Sequence, residues 1–185
     1  MVTILMKWQK KWLSLTPNPP RIPVFYTLTK IHKPNAVGRP IISGCDSPTE
    51  RISSFSDYLL QPIAKVQKSY LKHTTDFLNF IEKTKVEKYT MLVSMDVASL
   101  YTNVQQEEGI TIVCKTYEAF HLNKPPIPTL YLRDMLRLVL KENSFHFNGN
   151  FFLKTHGTAM GTKKGSIFRQ HVHGRSRNRN YWAQF

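Results

Sequence analysis

The stretch from Thr90 to Val104 constrains this chain more than any other. An apolar run of strand length, Met91, Leu92, Val93 and Met95, ends at the carboxylate of Asp96, and Tyr101 follows five residues later. A run this short reads as a buried strand, and an acid at the end of such a strand can hold a metal ion. The flat ring of Tyr101 is then spaced to stand beside whatever the metal binds. The same residues also admit a purely structural role, with Asp96 closing the turn after the strand and Tyr101 packing in the core.

The segments on either side alternate between extended and helical patterns. Pro17, Pro19, Pro20 and Pro23 make an irregular approach to a strand at Val24 to Leu28, and Arg39-Pro-Ile-Ile42 restarts an extended segment after a loop holding Lys30, His32, Lys33, Pro34, Asn35 and Gly38. Such a basic hairpin can reach over a triphosphate, with the Arg39 fork on two oxygens and Lys30 or Lys33 as point charges; it also reads as an ordinary surface loop. Ser47-Pro-Thr-Glu50 spells a helix start, with Ser47 as cap and Glu50 reaching back, and Ile52, Phe55, Leu59, Ile63 and Val66 form its apolar stripe. Pro62 is expected to bend that helix. A shorter helix around Asp76 to Lys83 is expected to bury Phe77, Phe80 and Ile81.

Beyond the central stretch, Thr102 or Asn103 can cap a helix with Glu107 and Glu108 in its first turn and Ile110, Val113, Tyr117 and Phe120 on its apolar face. The two glutamates then answer the helix dipole and are not metal ligands. Leu130 to Glu142 is a third strong helix, with Leu132, Met135, Leu136 and Val139 inward. Phe145 to Leu153 spells a hairpin around Asn148-Gly149, with His146 pointing outward. In Thr155-His-Gly-Thr-Ala-Met-Gly161, two glycines four apart let backbone approach something flat, such as a base pair.

Charge narrows the class of partner. The net charge is +14, and no Asp or Glu occurs before Asp46 or after Glu142. The cations crowd at both ends, from Lys7 to Arg39 and from Lys163 to Arg179, which favours a polyanionic partner, nucleic acid ahead of an anionic membrane. Cys45 and Cys114 are too few for a disulfide framework or a zinc knuckle and read as reduced thiols of an intracellular protein. No apolar run approaches the roughly 20 residues that span a bilayer, although Ile4, Trp8, Trp12 and Leu15 fall near the spacing of a basic amphipathic surface helix. With 41% hydrophobic residues, 185 residues make one ordinary domain or a piece of a larger one.

Four segments in this order, Phe25-Tyr-Thr-Leu-Thr-Lys-Ile-His-Lys-Pro34, Gly38-Arg-Pro-Ile-Ile-Ser-Gly44, Ser94-Met-Asp-Val-Ala-Ser-Leu-Tyr-Thr-Asn103 and Thr155-His-Gly-Thr-Ala-Met-Gly161, resemble the reverse transcriptase of Penelope-like retroelements. The likeness runs from about Arg21 to Lys163. It implies an α+β fold, part of a right-hand polymerase, with fingers at 21–70 and an incomplete palm with its helices at 71–163, between a basic extension at 1–20 and a basic tail at 164–185. It implies Asp96 as a catalytic aspartate binding two magnesium ions, Val97 as a carbonyl ligand and Tyr101 as the side chain that excludes a ribose 2′-hydroxyl. Arg39, helped by Lys30, would take the incoming triphosphate, and Met160 and Gly161 would lie against the nascent base pair. The implied partners are an RNA template, a DNA primer and a deoxynucleoside triphosphate, with no membrane, and the implied location is nuclear. The chemistry agrees, since in-line attack on an α-phosphate uses two metals about 3.5–4 Å apart with oxygen ligands.

The sequence departs from the family after Lys164. The aspartate pair that should follow Gly161 on a later hairpin is absent, as are the rest of the palm, the thumb and the GIY-YIG endonuclease often found in the family. Gly165 to Phe185 is polar, basic and without periodicity, which reads as disorder. One choice of codons for Gly165 to Arg179, read one nucleotide later, encodes Ala-Val-Ser-Phe-Ala-Asn-Met-Phe-Met-Ala-Glu-Val-Glu-Thr. That peptide looks like the helix that follows this motif in the family. The expectation is a truncated, frameshifted copy with little or no polymerase activity; the alternative is a non-catalytic basic nucleic-acid-binding module.

Overall fold

The structure, a computed structural model, describes residues 17, 19–31, 38–67, 70–91, 93, 101, 104–122 and 124–158. The fold is α+β, with the elements in the order β1 (Val24–Thr29), β2 (Gly38–Ser43), α1 (Glu50–Lys65), α2 (Thr74–Lys83), α3 (Gln106–Phe120), α4 (Thr129–Lys141), β3 (Ser144–Phe147) and β4 (Asn150–Leu153). The expectations for residues 1–16, for the loop at 32–37 and for the tail at 164–185 lie outside the described residues; the expected cap at Thr102 or Asn103 is corrected, because α3 starts at Gln106 and its cap position is Gln105, with no side-chain cap bond.

Three helices make the core. The apolar stripes of α1, α3 and α4 meet in one cluster in which Leu60, Ile63, Ile110, Val113, Leu132 and Met135 are essentially sealed from solvent. Tyr117 lies at its centre, fully buried. Its hydroxyl donates to the Ile127 carbonyl and accepts from the Ile127 N–H, each at 3.3 Å, so the polar tip is satisfied inside an apolar surround. Burial also pushes the Tyr117 hydroxyl pKa up. Tyr117→Phe is expected to leave both Ile127 groups unpaired and to cost about 1–3 kcal/mol in a urea titration. An unchanged midpoint would mean that water replaces the hydroxyl.

The sheet has the order β2-β1-β3-β4. β1 and β2 pair antiparallel from Val24↔Ser43 to Thr29↔Gly38, and β3 and β4 from Ser144↔Leu153 to Phe147↔Asn150. A single parallel register, Val24↔His146, joins the two hairpins, helped by the His146 N–H donating to the Pro23 carbonyl at 2.8 Å. The second hairpin turns on Asn148 and Gly149, both at positive φ (47° and 77°), as a two-residue primed turn requires. Nothing lies within 4 Å of a Cβ built on Gly149, so space does not oppose a side chain there and backbone strain alone does. Gly149→Ala should therefore cost roughly 1–2 kcal/mol, and Gly149→Asn less, by urea titration. Equal midpoints for the Ala variant and the parent would remove the strain argument.

Several expectations are corrected. α1 begins at Glu50, and the Glu50 carboxylate reaches back to the Asp46 N–H at 2.8 Å where Ser47 was the expected partner. Asp46 at φ 56° turns its N–H toward the helix, so the turn before the helix takes the bond. The helix runs on through Pro62 to Lys65, and Val66, placed in its buried stripe, is 66% exposed. The helix α2 forms, with Asp76 accepting from the His73 N–H at 3.1 Å, yet it buries none of its residues, and Phe77, Phe80 and Ile81 all face solvent. Periodicity marks an apolar face but cannot say what meets it. Phe120 is likewise exposed at the end of α3.

The central strand is corrected at the two positions that can be seen. Met91 and Val93 are irregular and exposed, where a buried strand was expected. A strand needs a neighbour to take up its ladder, and neither Met91 nor Val93 pairs with any of the four strands of the described sheet.

Candidate functional site

Tyr101 and the segment Thr155 to Thr158 come together. The Thr158 N–H donates to the Tyr101 carbonyl at 2.7 Å across 57 residues of sequence. Immediately beyond, the Gln106 side-chain amide donates to the Gly157 carbonyl at 2.8 Å and to the Leu140 carbonyl at 3.1 Å. One amide thus ties the start of α3 to the end of α4 and to the glycine segment, and Gln106 is the residue that sequence reasoning passed over. A polar residue at the first position of a helix carries no such signal, because its partners are backbone groups far away in sequence.

An open cleft of about 590 Å³ lies beside these bonds, lined by Val104, Gln106, Lys141, Lys154, His156 and Gly157 among others. Lys154 is half-buried in its wall, and burial pushes its ammonium pKa down. His156 Nδ1 lies 2.9 Å from the Thr155 hydroxyl. Glu107 pairs with Lys141 and, at 3.2 Å, with Arg137, both on α4. The expected dipole role of Glu107 stands on its place in the first turn, and these two cations are partners that the sequence did not name.

Those cations hold the Glu107 carboxyl below its ordinary value of 4.5, the Lys141 hydrogen bond contributing most. A folded-state pKa below the unfolded one adds stability that is complete above about 4.5 and fades as pH falls through the folded value. Wild type is expected to exceed Glu107→Gln in urea midpoint at neutral pH, and the two should converge as the pH drops below that window. A constant gap across the range would contradict the pairing.

Arg39 and Lys30 form a second group. Arg39 is exposed on β2 opposite Leu28, and Lys30 follows β1 directly, so both sit at the end of the first hairpin where its connecting loop leaves the strands. Neither makes an ion pair among the described residues. Asp96, Val97, Met160 and Gly161 lie outside the described residues. Of the expected site, the structure therefore brings the Tyr101 backbone against the segment leading to Met160, and it places Arg39 and Lys30 together.

A two-metal centre needs carboxylates beyond Asp96. Among the described residues no three His, Cys, Asp or Glu side chains converge to hold a metal, and the carboxylate nearest the cleft, Glu107, is committed to two cations. Among the described residues no helix is long and apolar enough to cross a membrane.

No protein-family model matches this chain, and no curated protein matches it.

Proposed function

We propose that these residues are part of the reverse transcriptase of a Penelope-like retroelement, an RNA-directed DNA polymerase, and that the 185-residue chain itself has little or no catalytic activity. The observation that carries this reading is the Thr158 to Tyr101 backbone bond. It joins Tyr101, from the one segment, to Thr158, from the other, and this supports a site in which one segment holds the nucleotide and the other its base pair. In this reading Asp96 is the carboxylate at the reacting phosphate, Tyr101 stands where a 2′-hydroxyl would intrude, and Arg39 with Lys30 meets the triphosphate. Met160 and Gly161 form the floor beneath the new base pair. Magnesium, when bound, supplies the charge that steadies the attacking and leaving oxygens.

A second reading has its own support: a basic module that binds nucleic acid without catalysis, resting on the +14 charge and on the acid-free ends of the chain. Both readings predict salt-sensitive binding to single-stranded RNA, with affinity falling by roughly 0.7 log units per log unit of salt for each phosphate neutralised. Deleting residues 164–185 should flatten that slope and leave the helical core folded. A slope unchanged by the deletion would place the contacts elsewhere. Template-directed extension separates the readings, because binding without extension from any version of the chain leaves only the module.

A further inference from the structure

The four strands contain no Asp or Glu, yet they carry six of the chain's aromatic residues and a histidine. The pairing registers sort these rings onto two faces. Phe25, Phe145, Phe147 and Phe152 share one face and pack on each other, with centroids 4.9 Å apart for Phe25 and Phe147 and 5.5 Å for Phe145 and Phe152. Those rings pack in pairs, although Phe147 and Phe152 keep 47% and 45% exposure. On the other face, Val24, His146 and Phe151 form one row across three strands, with Tyr26 and then Leu28 further along β1 and Arg39 opposite Leu28. Here the rings stand open, Tyr26 at 45% and Phe151 at 69% exposure, with the His146 ring 5.3 Å from Phe151.

We infer that this second face is a stacking platform for single-stranded nucleic acid, with bases lying on Phe151, His146 and Tyr26 and the backbone meeting Arg39. Exposed rings on neighbouring strands of a sheet offer π-faces on which unpaired bases stack, and any base can use them. Charge selects the occupant. An apolar protein surface would cover Arg39 without a counter-charge, a costly burial, whereas a phosphate backbone supplies one. No carboxylate on any of the four strands opposes that backbone, and the chain as a whole is strongly basic. The platform deepens the nucleic-acid side of the proposed function and needs neither Asp96 nor a metal.

The test is fluorescence anisotropy of a labelled oligouridine with the full chain in magnesium-free buffer. Phe151→Ala and Tyr26→Ala should each weaken binding by about 5- to 150-fold, the equivalent of ~1–3 kcal/mol of stacking per base, with an unchanged salt slope. Phe151→Trp should retain affinity, and Arg39→Ala should lower the slope by roughly 0.7. Phe80→Ala, equally open on α2, should change nothing, and far-UV circular dichroism confirms that each variant folds. Full affinity in both ring variants would overturn the platform. So would sedimentation showing a dimer that Phe151→Ala dissociates while RNA binding persists, since the face would then be covered by a second copy. Failure of primer extension touches none of these readouts, so loss of the catalytic reading and loss of the platform are told apart.

Discussion

Primer extension by the 185-residue chain is expected to be undetectable with magnesium or manganese. Continuing the chain from codon 164 in the shifted frame should restore it, and Asp96→Asn in the restored protein should abolish it again. Too few oxygen ligands are present. Asp96 supplies one side-chain carboxylate, Glu107 is held by Arg137 and Lys141, and no acid follows Glu142 in these residues. Template-directed synthesis needs the attacking hydroxyl activated and held in line, and a misplaced or missing electrostatic contact of this kind costs on the order of 10²–10³-fold or more. Extension by the 185-residue chain that disappears with Asp96→Asn would show that the site is already complete.

Leu132→Ala is expected to be the most damaging single change to the fold. Leu132 is fully buried where α4 meets α1 and α3, and truncating such a residue costs about 2–5 kcal/mol through lost transfer energy and the cavity left behind. At this chain length that corresponds to a fall of roughly 4–20 °C in melting temperature. Leu130→Ala, two residues earlier on the same helix at 62% exposure, should stay within about 0.5 kcal/mol of wild type. Matching losses at the two positions would mean that the α1, α3 and α4 stripes do not meet as described.

Those stripes were legible because a helix that buries one face repeats its apolar residues every three or four positions. Ile52, Leu59, Ile63, Ile110, Val113, Leu132, Met135 and Leu136 all fall where periodicity puts them, and all are buried. The Asn148-Gly149 hairpin was legible for a different reason, since few residues other than asparagine and glycine accept the positive φ of a two-residue turn. The parallel join between Val24 and His146 left no local mark, because strand order is decided by contacts far apart in sequence. The helix α2 shows the opposite failure: Phe77, Phe80 and Ile81 have the spacing of a buried face, but burial needs a second surface. At the candidate site, Tyr101, Arg39 and Lys30 were named from the sequence, while Gln106 and Lys154 were not, since a bracket between backbone carbonyls and a half-buried cation emerge only when distant segments meet.

The nucleotide sequence across codons 160 to 185 tests the central claim most directly. If these residues descend from a reverse transcriptase with a displaced frame, a shift of one nucleotide near codons 164 to 165 opens a frame that encodes an apolar helix and then a hairpin bearing two adjacent aspartates. Stop codons or unrelated sequence in that frame would contradict it.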